Sequence, residues 1–392
     1  MIDVVLTNYM NDELASTPLK LRRYMSSEIA WEDRLVGLVG PRGVGKSTLV
    51  KQQIIADQSD DYPQLYVSAD HSYFSTHSLL DVARDFVMEG GRRLVIDEIH
   101  KYQGWSNELK QIHDQYHDLK VIFTGSSILH IRKGGADLSR RALFYEMQGL
   151  SFREYLQLFE DIEMPLLSID EINQNKIECR PDFHPLPYLR KYLQSGYYPF
   201  SNLPRFDMRI QQIISETIEV DIPTHVNMTP ASARKLKQMA MVIAKNAPYK
   251  PNMLNLSVEL GISKNLIPTY LVYLETTGIL GLLKDSTGGM RGLGKLEKVF
   301  LDNPSLMSAL AGGMPNIGNL RETFFYSQTR VNNDVVASKI SDFEINGVTY
   351  EVGGSGKGGK QLEKAKKGII VRDDIEYGHG PIVPLWLFGL NY

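Results

Sequence analysis

A single cysteine, Cys179, occurs in 392 residues. One thiol excludes an internal disulfide and a cysteine-based zinc or iron–sulfur site, and it suits a reducing cytoplasm. No apolar run approaches the length of a membrane span, so no membrane is expected as a partner. Neither sign of charge dominates: 43 Lys and Arg stand against 46 Asp and Glu, a formal net charge of −3. No global basicity announces nucleic acid, and any such partner must be met by a local patch. Residues 1–6 have no basic segment before their short apolar run and no cleavage pattern, so no signal peptide is expected. The length suits two to four domains, each with its own core.

What is present is concentrated in one stretch. Val36, Gly37, Leu38 and Val39 form a short apolar run, followed by Gly40-Pro41-Arg42-Gly43-Val44-Gly45-Lys46-Ser47-Thr48 and the start of a helix to about Ala56. Gly-x-x-x-x-Gly-Lys-Ser between a strand and a helix is a phosphate-binding loop, the Walker A motif. Backbone N–H groups converge on a polyphosphate only where no Cβ intervenes, which accounts for Gly40, Gly43 and Gly45. The positive end of the following helix favours the anion. Lys46 is expected on the β- and γ-phosphates and Ser47 on Mg²⁺.

Further strands follow in order. Leu65–Ser68 is the second, a helix spans residues 78–90, and Arg92–Asp97 is an apolar strand ending in Asp97-Glu98. That is a Walker B strand, buried on both faces as parallel strands usually are. Asp97 is expected to hold Mg²⁺ with Ser47, through water, and Glu98 to orient and partly deprotonate the attacking water. Val121–Ser127 is another buried strand with hydroxyls at its carboxyl end, where ligands of open α/β sheets bind. Ser126, with Ser127 second, is the candidate γ-phosphate sensor; helix N-capping is the alternative for either. Arg140 and Arg141 precede a last strand, residues 142–147, and one of them is a candidate for stabilising phosphoryl charge, in cis or from a neighbouring subunit. Surface ion pairing is the alternative. The lead-in, residues 1–30, is expected to be helical, with Leu19, Leu21, Tyr24 and Met25 at helical spacing and Lys20, Arg22 and Arg23 on a basic face, solvated or, as the alternative, touching nucleotide. Alternating strands and helices give a doubly wound parallel sheet.

These runs, with Ile96-Asp97-Glu98-Ile99-His100-Lys101, Phe123-Thr124-Gly125-Ser126-Ser127 and Gly149-Leu150-Ser151-Phe152-Arg153-Glu154-Tyr155-Leu156, resemble the AAA+-type ATPases often called archaeal-type. The resemblance implies a P-loop NTPase core over residues 1–156 and an arginine just before the last strand, where Arg141 is the better match. It implies a helical lid over 157–230, in which residues 188–199 are similar to the family's helix ending in Gly-Gly-x-Pro, with Ser195 in place of the first glycine. It also implies a winged helix over 231–295 and an endonuclease-like α/β domain over 296–392. Adenine rather than guanine rests on the resemblance too, since no Asn-Lys-x-Asp run is present.

The rear half carries two further constellations. A helix over 231–246, a short one over 255–260, a turn at Gly261, a cap at Ser263, a helix over 266–276 and a strand over 278–283 follow the order of a winged helix. Arg234, Lys235, Lys237, Lys245, Lys250, Lys264 and Lys284 make the segment locally basic, which suits phosphate contacts. Lys264, Asn265, Thr269 and Tyr270 are the candidate base-contacting side chains, and protein docking is the competing role. Glu322 on a helix, with Asp342 and Glu351 on two strands joined by an Asn346-Gly347 turn, is similar to the endonuclease metal set. The motif's lysine is missing after Glu351, with Lys357 and Lys360 further on, so nuclease activity is expected to be lost. The expected activity is Mg²⁺-dependent ATP hydrolysis by a homo-oligomer, with DNA or a protein as partner. A nucleotide switch with little turnover and an ATP-coupled nuclease are the alternatives.

Overall fold

The computed structural model describes residues 2–59, 61–127, 138, 140–177, 182–286, 294–310, 315–354, 356, 359 and 361–392. Cys179, Lys357 and Lys360 lie outside them. Contacts divide the chain into two compact units, Met1–Gln148 and Gly149–Tyr392. The division falls ahead of residue 156.

In the first unit the chain runs α1 (Val4–Ala15), β1 (Leu35–Gly40), α2 (Lys46–Ala56), β2 (Gln64–Ser68), α3 (Leu79–Met88), β3 (Arg93–Asp97), α4 (Trp105–Gln115), β4 (Lys120–Ser126) and β5 (Leu143–Glu146). The strands form one sheet in the order β2-β3-β4-β1-β5, every pair parallel. β1 and β3 are buried along their whole length, as expected of strands covered on both faces. α3 starts where Ser78 accepts from the Asp81 N–H and buries Leu79, Val82, Ala83 and Phe86, one stripe at helical spacing.

Residues 19–25 are not the helix their spacing predicts. Pro18 to Arg23 run without helical hydrogen bonds, and only Tyr24–Ser27 makes a 3₁₀ turn. The carbonyls of Pro18 and Leu21 are taken by Gln52 Nε2 at 2.6 and 2.9 Å, so a side chain of α2 replaces the helical partners. Arg23 is not solvated either: it is buried, and it donates to Val44 O at 2.5 Å and to Gln148 O at 2.8 Å.

The second unit opens with α5 (Phe152–Glu160), started by a capping box of Ser151 and Glu154. α6 (Ile169–Asn173), α7 (Pro185–Lys191), α8 (Phe206–Glu216) and α9 (Ile222–Val226) follow. Then come α10 (Pro230–Asn246), α11 (Met253–Leu260), α12 (Ile267–Thr276), β6 (Leu280–Lys284) and β7 (Leu296–Leu301). Three helices are thus followed by an antiparallel hairpin, Leu282 opposite Val299. Gly261 ends α11 at φ 57°, while Ser263 makes no side-chain cap.

Beyond it lie α13 (Pro304–Leu310), α14 (Ile317–Thr329) and β8 (Val335–Ala337), β9 (Phe343–Ile345), β10 (Val348–Gly353), β11 (Gly368–Arg372) and β12 (Ile382–Pro384). These five strands form a separate mixed sheet in the order β12-β11-β10-β9-β8. Asn346 and Gly347 turn β9 into β10 at φ 50° and 77°, as a type I′ turn requires. Phe324, Phe325, Tyr350, Trp386 and Phe388 centre a core that also takes in Phe152, Ile172, Leu189 and Tyr192. Segments of the expected lid therefore share an interior with the carboxyl-terminal sheet. Among the described residues no helix is long and apolar enough to cross a membrane.

Candidate active site

The loop between β1 and α2 is shaped by close approach. A Cβ on Gly40 would lie 2.3 Å from Met147 O, so only glycine lets the loop leave the sheet there. Gly45 caps α2 at φ 99°, a conformation that β-carbons disfavour. Val44 is fully buried and Pro41 is buried, with Arg42 and Thr48 half-exposed on the same loop and helix start. Lys46 is buried, and its Nζ donates to Gly40 O and Pro41 O, both at 2.8 Å. Arg23 grips the same loop through Val44 O. It carries no motif; its basic neighbours pointed instead to a surface.

Register brings the other site residues to the loop. Gly40 pairs with Ser126, Ser68 with Asp97, and Ile96 with Phe123. The carboxyl ends of β1, β2, β3 and β4 therefore lie side by side. Ser47 Oγ donates to Asp97 Oδ1 at 3.0 Å. Two further hydroxyls reach the same carboxylate: Tyr66 donates to Oδ2 at 2.7 Å, and Thr124 donates to Oδ1. Tyr66 sits in an apolar strand run and Thr124 within the hydroxyl-ended strand, and only strand register reveals that both reach Asp97. The Tyr66 phenol is driven upward, first by burial and then by the Asp97 charge, so it stays a donor. Three hydroxyl donors on one buried carboxylate fix its orientation, and the Ser47–Asp97 pair fits a hard cation with oxygen ligands.

Glu98 follows directly, at φ 51° and ψ 38°, an uncommon conformation for a residue with a β-carbon. Its N–H donates to Thr124 Oγ1 at 3.1 Å. Burial raises the Glu98 carboxyl above its ordinary value, with Lys46 pulling the other way. Glu98 Oε2 lies 3.3 Å from Nε2 of His100, a residue that is itself buried. Ser126 is buried at the end of β4, and its N–H donates to His100 Nδ1 at 3.4 Å. Ser127 Oγ is buried without a hydrogen-bond partner among the described residues.

Arg141 stands elsewhere. β5 begins opposite Val36, four strand steps before Gly40, roughly 13 Å down the sheet. Arg141 precedes β5 and forks onto Asp114, Nε to Oδ1 and Nη2 to Oδ2, both 2.9 Å. That pair holds the Asp114 carboxyl down at about 2, the Arg141 hydrogen bond being the main cause. Arg140 is exposed. Within one chain neither arginine is gathered with Lys46, Ser47 and Asp97.

The carboxyl-terminal acids are not gathered into a metal set. Glu322 pairs with Lys298 at 2.6 Å, and Asp342 Oδ2 accepts from Val352 N at 2.9 Å. Glu351 is buried on β10. Among the described residues no group of three or more His, Cys, Asp or Glu is placed to hold a metal ion. Of the side chains expected to read bases, Tyr270 is buried in the core. Lys264, Asn265 and Thr269 are exposed.

The parallel sheet, its glycine loop and the Asp-Glu strand define a P-loop NTPase fold of the AAA+ type. Residues 32–156 match the family model described as an AAA domain, and residues 186–317 match a domain of unknown function, DUF8612. The chain is 29% identical over 232 residues to the uncharacterized protein MJ1637 of Methanocaldococcus jannaschii, covering 51% of this chain and 49% of that protein. It thus spans about half the length of that relative. Among solved structures, Aeropyrum pernix ORC1 in complex with DNA aligns at 13% identity and a TM-score of 0.31, over 78% of this chain and 92% of the other. AMPPCP-bound DnaA from Aquifex aeolicus aligns at 12% and 0.26, over 70% and 89%. PCH-2 of C. elegans aligns at 16% and 0.26, over 71% and 69%. At TM-scores this low the three carry no functional weight.

Proposed function

We propose that this protein is an ATPase that hydrolyses the β–γ phosphoanhydride with Mg²⁺. The observation that carries the reading is the 3.0 Å contact between Ser47 and Asp97, with Lys46 in the adjoining loop and Glu98 next in sequence. Lys46 exchanges its loop carbonyls for phosphate oxygens, and the loop amides from Gly40 to Thr48 cradle the rest. Ser47 and Asp97 hold the metal, which when bound neutralises charge on the phosphates. Glu98 orients water and takes its proton as the water oxygen bonds the γ-phosphorus. The bond to the β–γ bridging oxygen breaks and ADP leaves. Ser126, paired with Gly40, reads the γ-phosphate.

The test is phosphate release from ATP by wild type and Glu98→Gln, with nucleotide affinity measured alongside. Turnover is expected to fall about 10²–10⁴-fold with affinity kept. Equal turnover would refute the role of Glu98. Because burial raises the Glu98 carboxyl, the acid limb of turnover is expected above the ordinary glutamate range: activity is lost as pH falls through the raised value.

We infer that the completing arginine comes from a second copy. Arg140 and Arg141 sit far down the sheet from their own loop, beside Leu143 and Phe144, which stay 43% and 36% exposed on edge strand β5. For the rear half, three helices and a hairpin support a winged helix. Its DNA role is smaller than its charge count suggests, which favours protein docking. Lys237, Lys250 and Lys284 are paired with Glu219, Glu297 and Glu275, and Lys235 donates to Gly261 O. Leu254 and Val258, one turn apart on α11, are 57% and 77% exposed.

A further inference from the structure

His100 is a buried imidazole between two parts of the site, and neither motif assigns it a role. The backbone fixes its proton. Ser126 N–H has only a hydrogen to give, so Nδ1, 3.4 Å away, must accept. A neutral imidazole that accepts at Nδ1 carries its hydrogen on Nε2. That nitrogen lies 3.3 Å from Glu98 Oε2, within ion-pair distance but not aligned as a hydrogen bond. One ring therefore accepts from the Ser126 amide on β4 and stands beside the carboxylate after β3.

Glu98 needs such a tie. Its backbone is held in the left-handed region by its N–H bond to Thr124, which fixes the main chain but not the carboxylate. The side chain is about a third exposed and would otherwise sample several rotamers. A donor on the buried side, turned onto Oε2, would select one of them.

We propose that His100 is a positioning residue for hydrolysis: its Nε2–H aims the Glu98 carboxylate, and its Nδ1 makes that aim follow the position of Ser126. A shift of β4's end, when a γ-phosphate meets Ser126, is thereby relayed to Glu98. The inference rests on the reading of Glu98 as the group that orients water.

The experiment compares His100→Gln with His100→Met, near-isosteres of which only glutamine donates a hydrogen bond. Both are made in wild type and in Glu98→Gln, with kcat, KM, ATP affinity and melting temperature measured for each. His100→Met is expected to lower kcat about 10–100-fold, the usual cost of losing a group that orients an active-site ligand, with KM and affinity within twofold. His100→Gln is expected to recover most of the loss at the same melting temperature. In the Glu98→Gln background the methionine change is expected to add nothing. Equal kcat for Met and wild type, equal damage by Gln and Met, or a further loss in the Glu98→Gln background would each overturn the relay. Wild-type protein without Glu98-dependent turnover would instead overturn the function on which it stands, and the relay with it.

Discussion

Tyr66→Phe isolates one of the three hydroxyls on Asp97. The ring stays, so no cavity opens, and what is lost is a 2.7 Å donor to a buried carboxylate oxygen. A hydrogen bond to a charged group contributes about 1.5–3 kcal/mol. A unit of roughly 150 residues shifts by about 2–4 °C per kcal/mol, so its melting is expected to fall by about 3–12 °C. The pH dependence supplies an internal check. Burial and the Asp97 charge raise the folded-state phenol above its unfolded value near 10. The unfolded chain therefore loses this proton first. Stability from this group is whole below pH ~10 and declines above it at about 1.4 kcal/mol per pH unit. The variant lacks that term, so the two melting temperatures should converge between pH 9.5 and 11, values chosen as roughly straddling the unfolded phenol. Thermal scans of both proteins across that range decide it. A variant melting within a degree of wild type at neutral pH, or a gap that does not narrow in alkali, would refute the account of how Asp97 is held.

Turnover per subunit is expected to rise with protein concentration and to fall on Arg140→Ala or Arg141→Ala. A completing arginine accounts for about 10³–10⁵ in rate, and mixing either variant with Lys46→Ala protein should restore activity if the contact is between copies. In the second unit, Asp302→Asn removes the carboxylate charge that now lies 2.5 Å from the buried Arg330 guanidinium. Removing one partner of a buried pair costs about 3–5 kcal/mol, read as an earlier melting of that unit with the ATP site's affinity unchanged. Incubating supercoiled DNA with Mg²⁺ or Mn²⁺ is expected to yield no nicks, because no group of three or more His, Cys, Asp or Glu among the described residues is placed to hold a metal ion; nicking lost in Glu351→Ala would reverse that.

What could be read from the chain followed from contiguity. The glycine loop, the Asp-Glu strand and the hydroxyl-ended strand each lie within a few residues, and their composition alone fixes burial and backbone freedom. Tyr66, Thr124 and His100 join the site through pairings between strands 26 to 31 residues apart, and a local pattern holds no trace of register. Residues 19–25 misled because apolar spacing states a preference, whereas Gln52 supplies the carbonyl partners an extended segment needs. The basic count over the α10–α12 region says nothing of pairing: Lys237, Lys250 and Lys284 meet Glu219, Glu297 and Glu275. Glu322 and Asp342 follow the order of a metal set in sequence, and in the structure they meet Lys298 and the Val352 amide.

The site's construction follows from one constraint. A carboxylate buried at a sheet's edge is costly unless its lone pairs are met. Asp97 is met by hydroxyls from α2, β2 and β4, elements that the parallel order sets around β3's end. Ser47 stands in the first turn of α2, directly after the glycine loop, and Thr124 holds both Asp97 and the Glu98 amide. The same bonds that make the acid tolerable in the interior therefore couple it to the loop that would grip a nucleotide. Loosening any one of them should disturb stability and chemistry together, whereas alanine at the exposed Lys264, Asn265 or Thr269 should disturb neither.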